Sequence, residues 1–239
     1  MSMTRTARKS RALAVKQEHV LARSYISLSY FNLLWIFVIA SFIGLIGETI
    51  VATFMDGYIK DRAGLLWGPF SPLYGLGAVL MTIALNDMKG RSSLLTFTVA
   101  AVVGGATEFA AGWFWKNAFG IIAWSYIDRP LNFGGFTCVE MMVVWGLAGL
   151  AWVKLGLPVV MRIVNLIPAS WRRSLTVAMT VFMFADIAFT LVSFDCWFER
   201  LSGEPVVTSI QSFFNTHYGN DWMAERFQTM SMWTDLAQR

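Results

Sequence analysis

Apolar residues along this chain fall into five long runs separated by short polar stretches: about 31–54, 71–85, 94–115, 136–153 and 174–196. A helix needs roughly 20 apolar residues to cross the hydrocarbon layer of a bilayer. The second run is short and opens after Gly68-Pro69-Phe70-Ser71-Pro72. The pattern predicts an all-α, polytopic membrane helix bundle of five transmembrane helices. Charges inside the runs are few: Glu48 in the first, Glu108 in the third, Glu140 in the fourth and Asp186 in the fifth, which ends at Asp195.

The spans divide the chain into a basic leader (1–28), a membrane core with two helical hairpins (29–157), a connector (158–173), the fifth transmembrane helix (174–196) and a tail (197–239). Lys and Arg set the direction. The leader holds Arg5, Arg8, Lys9, Arg11, Lys16 and Arg23. Lys89 and Arg91 follow the second run, and Lys154, Arg162, Arg172 and Arg173 follow the fourth, so twelve of 19 basic residues fall on one side. The positive-inside rule makes that side cytoplasmic. The N-terminus is then inside, the connector cytoplasmic and the tail extracytoplasmic. The first run is too long for a cleavable signal peptide, so it reads as retained. The leader can lie on the inner face as a helix or remain a disordered basic arm. The tail, with Phe213, Phe214, Tyr218, Trp222 and Trp233, predicts short interfacial helices.

Composition agrees with this class. Hydrophobic residues make up 56% and charged residues 14% of 239, against about 25% charged in a soluble domain. Many of the 11 Trp lie near the ends of the runs, where an amphipathic ring suits the headgroup layer. A pI of about 9.2 would fit nucleic acid, but the basic residues sit beside apolar spans. They read as topology signals and contacts to anionic membrane lipid, with no nucleic-acid partner. Cys138 and Cys196 form no C-x-x-C pair, so neither a disulfide framework nor a zinc site is expected.

The candidate chemistry lies in the carboxylates. Gly44, Glu48 and Ala52 repeat the spacing of Gly104, Glu108 and Gly112, placing each trio on one helix face with small residues a turn either side of the acid. Such faces pack inside bundles. Each acid is followed some 20 residues later by a proline, Pro69 or Pro130, and a Gly-containing entry to the next span. Residues 31–86 and 94–155 thus read as two parallel helix–loop–helix repeats, which an axis along the membrane normal would relate. Glu48 and Glu108 should sit about 9–11 Å below the outer boundary and Glu140 about 6 Å below it, at 1.5 Å per residue. An acid at mid-bilayer costs about 2.5–3.5 kcal/mol, so these groups should face a cavity, pair with a base or hold loops in place. Both a ligand-binding and a purely structural carboxylate layer fit. Tyr74, Trp124, Tyr126, Arg129 and Asn132, together with Lys60, Arg62 and Lys116, are the loop groups able to contribute.

Enzyme chemistry is poorly supplied. Only His19 and His217 occur, both outside the runs, and no H-E-x-x-H or Walker A motif is present. The chain is expected to be no enzyme and to need no cofactor or metal. An intramembrane enzyme using the outer acids on lipid headgroups is the remaining catalytic option.

These residues resemble the bacterial family of ABC-transporter type IV membrane proteins (CmpB-like), over roughly residues 33–157. The resemblance is carried by Gly47-Glu48-Thr49, Trp67-Gly68-Pro69, Leu73-Tyr74-Gly75, Glu108, Trp124-Ser125-Tyr126, Pro130-Leu131-Asn132 and Trp145-Gly146. The family usually has Trp before the first Glu, where this chain has Gly47, and often Asp where Ser125 stands. The resemblance implies a permease-like protein and no established substrate or catalytic residue; with the carboxylate layer and the missing Walker A motif, the expectation is a multi-pass subunit of the bacterial cell membrane that binds a small solute and borrows a separate ATPase. A non-transporting membrane scaffold or accessory protein is the alternative.

Overall fold

The structure is a computed structural model that describes residues 24–57, 64–119 and 122–227. Most of the leader, Lys60, Arg62 and Trp233 lie outside the described residues.

Helix α1 (Tyr30–Asp56) starts at Ser29, whose hydroxyl accepts the Asn32 N–H. It stops at Gly57, which takes the left-handed conformation (φ 75°) and returns its N–H to the Thr53 carbonyl. Helix α2 (Pro72–Leu85) begins with proline at its first position, where no backbone donor is lost and φ is already helical. A 3₁₀ turn (Asn86–Met88) and a short loop lead to α3 (Ser93–Phe119). A two-residue β-hairpin pairs β1 (Asn132–Phe133) with β2 (Thr137–Cys138), Phe133 facing Thr137 and Asn132 facing Cys138. Helix α4 (Val139–Ala151) passes through one π turn (Trp152–Gly156) into α5 (Leu157–Asn165). Pro158 has no N–H to return to Lys154, and the Leu157 N–H reaches back five residues to Trp152 instead. Helix α6 (Ala169–Leu201) is followed by the short α7 (Ser209–His217) and α8 (Asn220–Arg226).

Four helical stretches are long and apolar enough to cross a bilayer: Tyr30–Phe54, Ser93–Ala118, Val139–Asn165 and Ala169–Leu201. Helix α2 differs. Its 14 residues span about 21 Å at 1.5 Å per residue, short of the roughly 30 Å hydrocarbon core. The non-helical segment 64–71 therefore precedes it where a full span would be helical. The fourth span also runs further than expected, taking in much of the connector as α5. The fifth begins at Ala169, immediately after Pro168, and overruns the apolar stretch at its far end.

Polarity in α6 is the reverse of a soluble helix. Val177, Val181 and Phe184 are exposed, while Thr176, Asp186, Thr190 and Ser193 are buried. An apolar exterior with polar groups inside is stable when the surrounding medium is lipid. This is a membrane protein.

The first two helices form one hairpin and α3 with α4 another; α2 joins them by packing on α3, and α5 and α6 pack on α1. Both hairpins close on the same pair of contacts. An added Cβ on Gly44 would lie 2.5 Å from the Tyr74 Cβ, and one on Gly104 would lie 2.4 Å from the Trp145 Cβ. One residue further on, Gly75 meets Phe37 and Gly146 meets Phe97, at 2.7 and 2.5 Å. No side chain fits at any of these four positions without the helices parting.

Candidate functional site

Glu108 is buried at 5% exposure on α3, and its immediate surroundings follow from the glycines one turn away. Gly104 admits Trp145, and Gly112 admits Phe136 and Trp124. Two hydroxyls reach the carboxylate: Tyr126 Oη donates to Oε1 at 3.0 Å and Thr137 Oγ1 to Oε2 at 2.7 Å. The Trp145 indole lies within electrostatic reach of the same acid, although its N–H makes no well-formed hydrogen bond. Burial, and then the neighbouring Glu108 charge, raise the Tyr126 phenol well above its ordinary value. It therefore stays a neutral donor throughout the physiological range.

The segment carrying Tyr126 and Thr137 is stitched mainly to itself. Asn132 donates to the Ile127 and Arg129 carbonyls and accepts the Gly135 N–H. Trp124 Nε1 donates to the Phe136 carbonyl at 2.8 Å, and the Tyr126 N–H to the Gly135 carbonyl at 2.8 Å. Gly134 and Gly135 both have positive φ, 60° and 78°, a turn that favours glycine because it has no Cβ. Asn132 and Trp124 thus organise the loop, while Tyr126 delivers a donor to Glu108. Thr137, which sequence reasoning missed, is the closer donor. Its signal was available as a hydroxyl next to Cys138 at the mouth of an apolar run.

Glu140 is placed differently. It occupies the first turn of α4, and Arg129 Nη1 lies 3.6 Å from its Oε2, with both side chains more than 60% exposed. Both partners are exposed, and an exposed ion pair contributes little net energy. Lys116 sits over the Phe136 ring at 5.6 Å. Glu48 is half-buried on α1, one turn beyond Gly44, and Tyr74 occupies the Gly44 notch. Helices α1 and α3 both pack on α2 and α6; α5 adds to α1, and α4 to α3. Among the described residues, no three Asp, Glu, His or Cys side chains converge as a metal site would require.

A second buried acid holds the other loop. Asp186 is fully buried on α6, and its Oδ1 accepts the Trp67 N–H at 2.9 Å. One turn on, Thr190 Oγ1 accepts the Leu66 N–H at 2.9 Å and donates to the Asp186 carbonyl at 2.7 Å. From α8, Arg226 donates to the Leu65 and Gly68 carbonyls. Asp186 lies 17 residues along its helix, Glu48 18 and Glu108 15, so all three sit about 22–27 Å from their helix starts.

The family described as "Putative ABC-transporter type IV" matches residues 35–191. The chain belongs to this family. The ABC-transporter type IV match takes in the first hairpin from Trp35, the second hairpin, both loop segments and α6 as far as Leu191, so it covers Glu48, Glu108, Glu140 and Asp186 together. No curated protein and no solved structure matches the chain.

Proposed function

We propose that this chain is the permease-like membrane subunit of an ATP-driven transporter, working with a separate ATPase and binding a small solute at the carboxylate layer. The family membership carries the reading, and the arrangement of the membrane core supports it. Non-helical backbone at membrane depth is tolerated where protein covers it or where it lines a cavity, and loops of this kind recur at midplane sites of transporters. Here two such segments meet buried acids, at Glu108 and at Asp186. In this reading the protein is multi-pass in a bacterial cell membrane, with its N-terminus inside. Helix α2, extended by segment 64–71, counts as the second of five spans. The chain itself performs no catalysis.

The paired contacts support treating the hairpins as repeats. Gly44 with Tyr74 and Phe37 with Gly75 correspond to Gly104 with Trp145 and Phe97 with Gly146. Helix positions in the first arms differ by 60 and in the second arms by 71. The eleven extra residues therefore lie in the second loop. Pro69 precedes its helix by three residues and Pro130 by nine, so the prolines are not the equivalent positions.

One observation favours the scaffold alternative: Glu108 is satisfied by two hydroxyls of its own hairpin, which a purely structural acid would also need. Gentle solubilisation of tagged protein decides between the two. A permease should bring down an ATPase whose hydrolysis drives solute uptake in proteoliposomes, and Glu108→Gln should remain folded but lose uptake. If no ATPase associates and Glu108→Gln changes only detergent stability, the scaffold reading stands. Single cysteines at positions 89 and 222, with Cys138 and Cys196 removed, test the orientation. Labelling of position 89 from outside would overturn it.

A further inference from the structure

The exposed apolar residues of α6 mark how far the lipid belt reaches along it. Val177, Val181, Phe184, Phe189 and Val192 are exposed, and the next exposed side chain is Asp195. The belt therefore ends between Val192 and Asp195, within about 5 Å of helix. Helix α7 lies across this boundary. Beyond Asp195, Gln211 Nε2 donates to Glu199 Oε2 at 2.6 Å, and Arg200 Nη1 donates to Asn215 Oδ1 at 2.6 Å. Toward the belt, the Phe214 ring packs 5.8 Å from the Phe189 ring. Contacts in both directions fix the level of α7 at the end of the belt. At about 3.6 residues per turn its surface divides into three sectors. Gln211, Phe214 and Asn215 face the protein. Ser209, Ser212 and Thr216 form an exposed polar sector, and Ile210 and Phe213 an exposed apolar one, continued before the helix by the exposed Val206 and Val207.

We propose that the apolar sector of α7 is a lipid-docking surface: the helix lies in the headgroup layer with Val207, Ile210 and Phe213 inserted into the bilayer. The sector continues the lipid-facing side of α6, because the Phe213 ring meets Phe214 at 5.4 Å and Phe214 meets Phe189. The backbone at the helix start needs no water. The Val207 and Thr208 N–H groups both go to Gln211 Oε1 at 2.9 Å, and Thr208 Oγ1 accepts the Gln211 N–H. Lipid offers no partner to an open helix start, so this closure removes the main cost of insertion. A polar strip beside an apolar one is the pattern of helices that lie in the membrane plane. Helix α8 differs: with Met223 buried and Asp221 and Glu225 exposed, it is left on the water side. Of the two described tail helices, only α7 carries a lipid face. The surface is independent of the permease reading and would serve a scaffold equally.

The test places one nitroxide at a time on the full-length protein lacking Cys138 and Cys196, through Ile210→Cys, Ser212→Cys, Phe213→Cys or Thr216→Cys. All four positions are exposed, so a label at any of them leaves the packing intact. The protein is reconstituted in phosphatidylethanolamine–phosphatidylglycerol vesicles. Collisions with oxygen, which concentrates in lipid, are compared with collisions with a water-soluble nickel chelate to give the depth of each label. Val181→Cys on α6 and Asp221→Cys on α8 supply the lipid and water references. Labels at 210 and 213 should read as immersed, about 5–10 Å into the boundary between headgroups and acyl chains, and those at 212 and 216 as aqueous. Equal aqueous contact at all four positions overturns the proposal. So does shielding of 210 and 213 from both reagents, which would mark a protein partner or a second copy on this face.

Discussion

Replacing Thr137 by Val changes almost nothing in shape and removes one hydrogen bond to Glu108. Thr137 is 3% exposed and Glu108 5%, and the bond measures 2.7 Å. No water can replace the donor at that burial. Bonds to charged groups contribute about 1.5–3 kcal/mol, so Thr137→Val should destabilise the protein by about that amount. Tyr126→Phe removes the longer, part-buried bond of 3.0 Å and should cost less, about 0.5–1.5 kcal/mol. Reversible unfolding by SDS titration in mixed micelles gives both values. The decisive measurement is a double-mutant cycle with Glu108→Met, which keeps volume without an acceptor. In that background Thr137→Val should cost under about 0.5 kcal/mol, since the coupling resides in the pair. An equal cost in both backgrounds would show that Thr137 acts through packing alone, and the account of the buried acid would fail.

Gly44→Ala and Gly104→Ala should each part a hairpin and lower detergent stability, because the new Cβ falls within 2.5 Å of Tyr74 or Trp145 side-chain atoms. Gly47→Ala meets nothing within 4 Å and should be stabilising by up to about 1 kcal/mol through helix propensity; thermal aggregation scans of the three compare them directly. Arg129→Ala should change stability by no more than about 1 kcal/mol, and less at high salt, because both side chains of its pair with Glu140 are exposed. Tyr126 holds its proton more tightly folded than unfolded, so its contribution is complete below the ordinary pKa of 10.0 and declines as pH rises beyond it. Ultraviolet titration should show a late-ionising component in the wild type that Tyr126→Phe removes, with no Tyr126-dependent change in stability between pH 6 and 9.

Much of this protein was legible because the signals are local. A run of apolar residues with one charge announces a membrane helix wherever its partners lie. Glycines four residues either side of Glu108 announced a face that must admit neighbours, and Trp145, Trp124 and Phe136 enter there. The shortness of α2 was visible as a run of 15 residues opening on proline. Three-dimensional packing alone decided which groups answer the acids. Nothing near Trp67 in sequence indicates that its N–H meets Asp186, 119 residues away, because a backbone N–H carries no residue-specific signature and the pairing depends on how α6 crosses the first hairpin. The same holds for Glu140, which stands in the first turn of its helix and meets Arg129 of the preceding loop. Hydropathy and periodicity are properties of a segment. The partner of a buried charge is a property of the space between segments, which exists only once the helices have packed.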